Sequence, residues 1–157
     1  MKKRILLVGV VLALVATLAV PAVALAGSTG TTTVTGTQAN IIEVTAPSAI
    51  SFGTFSIGLN SGHSTTNGAM ECNGTTWHVT AKDEKTENAG LMTFDGNKLA
   101  GKLQINSQES GTYLTADSGI TYTDTTTLPF YVKQNVAASD KAGAYTITIT
   151  FTGVIDL

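Results

Sequence analysis

Two histidines, His63 and His78, are the only imidazoles in this chain. A hydrolytic triad would need one of them between a nucleophile and an orienting carboxylate. His63 lies in Gly-His-Ser-Thr-Thr, a loop-like run, and His78 alternates with Trp77, which sends its ring outward if the indole points inward. The densest acidic group is Asp83, Glu84 and Glu87, where paired carboxylates could serve glycoside hydrolysis. Lys82 and Lys85 share that stretch, so it reads as a self-neutralised, solvated surface. The same acids, or Asp95 with Asn97, could offer oxygen ligands to calcium, but the loop spacing of calcium motifs is missing. There is no nucleophile elbow, no His-Glu-x-x-His, no Cys pair and no phosphate-cradling Gly loop. These residues predict no catalytic, cofactor-binding or metal-ligating set, and the chain reads as a non-enzyme.

Trp77, the sole Trp, is the binding candidate. Exposed, its indole could stack on a sugar ring; buried, it would anchor a β-core, and its alternation with His78 favours the core. Cys72 has no partner for an intramolecular disulfide and reads as a small buried side chain. Asn73-Gly74-Thr75 matches a glycosylation acceptor and reads as a turn.

The elements that would carry these residues begin after a leader. Lys2, Lys3 and Arg4 precede an uncharged apolar run, and Ala24-Leu25-Ala26 fits the small-residue rule for signal-peptidase cleavage after Ala26, with Pro21 breaking the helix upstream. Residues 1–26 therefore read as a signal peptide and the chain as secreted, extracellular and at the cell surface; a membrane enters only if the leader stays uncleaved as an anchor. Without the leader's three cations, six Lys face eleven acids, a formal charge of −5 with no Arg. Nucleic acid and anionic lipid are poor partners for such a chain, because both need concentrated cations.

The leader-free chain is one domain in length, and its twenty-six Thr favour strands while keeping outward rows wet. Residues 27–40 form a Gly/Thr-rich flexible segment, and residues 41–157 form the domain. Ile41, Ile42 and Val44 predict a strand ended by Pro47; residues 50–55 predict a second, bent at Gly53; residues 58–68 predict a loop. Asn73-Gly74 and Asp95-Gly96 predict two-residue hairpins. Trp77, Val79 and Ala81 alternate with polar neighbours, as do Phe130, Val132, Gln134 and Val136, while residues 82–90 predict a polar surface loop. Shorter strands are expected at Leu103–Ile105, Tyr113–Leu114 and Ile120–Tyr122. The clearest alternation sets Tyr145, Ile147, Ile149 and Phe151 against Thr146, Thr148, Thr150 and Thr152. After the leader, no segment shows a helical period for ten residues. The expected fold is all-β, a single antiparallel β-sandwich of Greek-key, immunoglobulin-like type.

Thr76-Trp77-His78-Val79-Thr80 and the Gly143-Ala144-Tyr145 entry into the Thr-alternating strand resemble the WxL-type cell-wall-associated β-sandwich proteins of Gram-positive bacteria. Trp-His-Val stands here where the family has W-x-L, and Phe151-Thr152-Gly153 where it has a second Trp motif. The resemblance implies non-covalent attachment to peptidoglycan, polysaccharide or other surface proteins. Two other readings stand beside it: a pilin-like, fimbrial or spore-coat-type structural subunit that assembles by strand addition, with residues 30–38 as the donated segment, and a small carbohydrate-binding or hydrolytic module.

Overall fold

The computed structural model describes residues 33–156. The expected leader and its cleavage after Ala26 lie outside them. The chain divides into two units, Met1–Gln38 and Ala39–Leu157, and every strand belongs to the second. These strands are β1 (Ile42–Thr45), β2 (Gly58–His63), β3 (Gly68–Cys72), β4 (Trp77–Lys82), β5 (Thr93–Phe94), β6 (Asn97–Lys98), β7 (Gln104–Asn106), β8 (Leu114–Thr115), β9 (Ile120–Thr123), β10 (Thr127–Leu128), β11 (Tyr131–Val136) and β12 (Thr150–Ile155). The described residues contain no helix, and every strand pairing is antiparallel.

The strand orders are β1-β3-β10, β2-β11-β7-β8, β12-β4-β9 and β5-β6. The first two sheets run into one another, because Ser64 N–H donates to Phe130 O and Met70 N–H to Thr126 O where the named strands break. The alternations that are clearest in sequence become the core-facing rows. In β4, Trp77, Val79 and Ala81 are buried, in β9 Ile120 and Tyr122, and in β11 Val132 and Gln134. They meet Leu99, Leu103, Ile105, Leu128 and Phe130 in one cluster, and burying such side chains contributes roughly 1.5 to 3 kcal/mol each before entropy is subtracted. Gln134 is fully buried in this apolar company. Its Nε2 donates to Gly101 O at 2.8 Å and to Asn135 O at 2.9 Å, while Oε1 has no partner.

Asp95-Gly96 forms the expected hairpin. Asp95 has φ 46° and Gly96 φ 74°, both positive, as a two-residue turn with matched twist requires, and Phe94 faces Asn97 across it. Asn73-Gly74 is not a hairpin. β3 pairs with β1 and β10, whereas β4 lies in another sheet. The Asn73 side chain is spent elsewhere, accepting from Ile41 N–H at 2.6 Å and donating to Ala39 O at 3.0 Å, which ties the start of the domain to the end of β3.

Three other expectations are corrected. Residues 58–68 contain strand β2 and the start of β3 instead of a loop; β2 is Gly- and Ser-rich and is set by its pairing with β11, from Gly58 opposite Val136 to His63 opposite Tyr131. Residues 50–55 form no strand; Gly53 turns the chain at φ 66°, and Phe52 packs on Phe55 with ring centroids 5.1 Å apart. The last strand is shifted toward the C-terminus. It begins at Thr150 and reaches Ile155, while Tyr145–Ile149 keeps its alternating burial but, among the described residues, joins a sheet only through the Thr93–Thr146 bridge.

Candidate functional site

β1 and β12 approach closely. A Cβ at Gly153 would stand 2.7 Å from Val44 Cγ2 and 2.8 Å from Ile42 Cδ1, so glycine is what permits the contact. Past Thr45 in one direction and before Thr150 in the other, the chain on each side leaves its sheet and a groove opens between residues 46–57 and 136–151. It consists of two adjoining cavities, about 330 Å3 and 710 Å3, that share Ile50, Phe52, Met92, Tyr145 and Thr146. Ile50 and Phe52 form one wall, and Tyr145, Ile147 and Ile149 the other. The floor is core: Leu103, Phe130 and Val132 are buried beneath it. Phe130 meets Phe151 edge to face with centroids 5.3 Å apart, which closes the floor at the β12 end.

Both walls have spare backbone. Among the described residues the only backbone–backbone hydrogen bond across residues 46–52 is from Ser48 N–H to Thr66 O, at 3.0 Å. Across residues 145–149 there is only the reciprocal Thr93–Thr146 pair, at 2.9 and 3.0 Å, so Ile147, Thr148 and Ile149 make none among the described residues. Pro47 contributes no N–H on its wall. Extended backbone with unused donors and acceptors over an apolar floor is suited to holding a further extended chain.

The residues singled out for chemistry are dispersed. His63 ends β2, its ring 6.0 Å from that of Tyr131, and His78 sits in β4 with Nδ1 2.9 Å from Asp156 Oδ1. Asp83 is not part of a solvated loop. It is 4% exposed, with Oδ2 accepting from Gly90 N–H at 2.8 Å and Oδ1 from Lys85 N–H at 3.1 Å, so its carboxylate closes the 83–90 segment from inside. Glu84 turns outward to Lys82, 3.3 Å away, and Glu87 is exposed, so the three acids do not converge. Asn97 Nδ2 donates to Asp95 O within the hairpin. No cluster of three or more His, Cys, Asp or Glu suited to a metal occurs among the described residues.

Trp77 is 8% exposed and belongs to the core cluster, so its indole supports the sheet and has little surface left for a sugar ring. Cys72 is half-buried, its Sγ accepting from Gly74 N–H at 3.2 Å. Three ionisable groups are shifted from their ordinary values, and for one of them, the Tyr113 phenol, partial burial with Glu109 and Tyr131 nearby is what raises it. The hydrogen bond from Lys102 to Asp117, with support from Thr115, holds the Asp117 carboxyl below its usual range. Burial pushes the Tyr122 phenol up, and its hydroxyl donates to Pro129 O at 2.6 Å. None of the three lines the groove.

Sequence reasoning did not find the groove. The available signal was Ala46-Pro47-Ser48-Ala49, a small-residue run around a proline that interrupts one wall. Compared with known proteins, the chain matches no family model and no curated protein.

Proposed function

We propose that this chain is a secreted, non-enzymatic protein of the cell surface or envelope. In this reading its sheets are the layers of an immunoglobulin-like, Greek-key β-sandwich, and it binds wall polymer or other surface proteins non-covalently. The observation that carries the reading is the groove: an open apolar surface bordered by backbone with unused hydrogen-bonding groups holds a chain-like partner by burial and pairing, with no reactive group required. The basic tip, apolar run and Ala-rich end of residues 1–26 support export. The Trp77 and Tyr145 segments, through their resemblance to WxL-type proteins, support attachment to the wall.

Fractionation of cells making the chain tests it. The protein is expected in the wall or medium fraction with a mass corresponding to a start at Gly27, and urea should release it from the wall. Retention in the cytoplasm with the leader intact would overturn the reading, as would resistance to release by urea.

A further inference from the structure

We propose that the groove receives residues 27–38 of a second copy of this chain, so that the exported protein assembles head to tail by strand addition. This deepens the reading just given by naming the partner, and it rests on removal of the leader, which frees residue 27 as the donor's end.

The first argument is the shape of the vacancy. Residues 145–151 span about 20 Å at roughly 3.3 Å per residue, the reach of a seven-residue strand. Within that reach Ile147, Thr148 and Ile149 make no backbone–backbone hydrogen bond among the described residues, and the facing wall of residues 46–52 makes one, from Ser48, while the floor of Phe130 and Val132 is core. An unpaired stretch running into the β12 edge, with half-buried Ile50, Phe52, Ile147 and Ile149 as its apolar walls, is a position that a strand completes.

The second is the supply. Twelve residues precede Ala39 in the leader-free chain, without a charged side chain, and among them Thr31, Thr32, Thr33, Val34, Thr35 and Thr37 are β-branched. Residues 33–38 belong to no strand, and Val34 is 90% exposed. In a strand, the row containing Val34 also contains Thr32 and Gly36, so one apolar anchor sits between small neighbours. That composition predicts a weak, reversible addition.

The third is direction. The chain enters the domain at Ala39 and Ile41, which Asn73 holds at the end of β1 remote from the groove. A strand supplied by the same copy would have to reverse and run the length of β1 first; one supplied by a second copy need not. Donor and groove are different patches, so the contact is heterologous and propagates without closing.

The test uses the leader-free chain with two substitutions, Val34→Asp in the donor and Ile149→Asp in the groove, each checked for native circular dichroism. Sedimentation of the unsubstituted chain should show a concentration-dependent series of multiples. Each variant alone should remain monomeric to at least tenfold higher concentration, and a mixture of the two should give dimers that do not extend. If Ile149→Asp fails to fold, a synthetic peptide of residues 27–38 takes its place: it should dissolve the multiples of the unsubstituted chain and bind the Val34→Asp protein one to one.

A chain monomeric at every concentration would overturn the proposal, including the case in which Val34→Asp lowers its melting temperature and so reports a strand held by the same copy. Multiples that survive both substitutions would overturn it too. A monomer recovered from the wall fraction would refute strand exchange and leave the surface reading standing.

Discussion

Substituting Asp83 separates two pictures of residues 82–90. If the segment were a solvated, self-neutralised loop, Asp83→Ala would change stability by no more than about 0.5 kcal/mol, as surface substitutions usually do. The structure instead sets a carboxylate that is 4% exposed against two backbone N–H groups, at 2.8 Å from Gly90 and 3.1 Å from Lys85. Gly90 is itself buried, so truncating Asp83 strands its donor, at about 1 to 3 kcal/mol; Lys85 is exposed, and water replaces most of that second bond. Relief from burying a charge offsets part of the loss, which leaves a destabilisation of about 2 kcal/mol. Urea unfolding followed by circular dichroism should show a lower midpoint at unchanged slope for Asp83→Ala, and no change for Glu84→Ala or Glu87→Ala. Asp83→Asn should fall between, since its single carbonyl oxygen can serve only one of the two donors well. Equal midpoints for Asp83→Ala and Glu84→Ala would refute the reasoning.

Ile105, fully buried in β7 opposite Val132, should lose about 2 to 5 kcal/mol on truncation to Ala, read as a shift in the urea midpoint. Gly68→Ala should destabilise the domain by about 1 to 3 kcal/mol, because the new Cβ would stand 2.6 Å from Thr45 O and 2.9 Å from Pro47 N, both backbone atoms that cannot swing aside; thermal melting checks this. Burial raises the Tyr122 phenol above its ordinary 10.0, so its contribution to stability is fully present below pH 10 and is lost as pH rises from there toward the folded value. Melting scans from pH 8 to 12 should show that loss, and it should shrink in Tyr122→Phe. The Lys102 hydrogen bond lowers the Asp117 carboxyl, so its contribution is present above the ordinary carboxylate value and disappears as pH falls through the folded one; Lys102→Met should flatten the acid limb of the stability curve.

Much of the fold is legible in the sequence wherever a strand carries its own instruction. The rows of β4, β9 and β11 are written as apolar alternation, and Asp95-Gly96 carries the positive torsions of its turn within its own two residues. β2 is different: Gly58, Ser61 and Gly62 have no apolar row to display, and the strand exists because β11 templates it, information that lies about seventy residues away. Asn73-Gly74 failed as a hairpin signal because the Asn73 side chain found longer-range partners in Ala39 and Ile41. Asp83 was misread for a similar reason, since its setting among Lys and Glu says nothing of the buried Gly90 amide that it meets.

The groove marks a deeper limit. Alternation at Tyr145, Ile147, Ile149 and Phe151 says which face is turned inward, and the structure keeps that face, with Tyr145 buried and the others half-buried. Alternation does not say whether a strand's edge has a neighbour. That depends on where residues 46–52 and 83–92 travel, and both leave the strand's side before pairing with it is complete.

The measurement closest to the central claim is amide hydrogen exchange at Ile147, Thr148 and Ile149 in the leader-free chain, recorded first dilute and then concentrated. These amides should exchange quickly in the monomer and become protected as multiples form, while Val79 and Val132 stay protected throughout. Slow exchange in the dilute monomer would mean that the edge is already occupied, and rapid exchange in the concentrated multiples would mean that no strand is added there; either result contradicts the account.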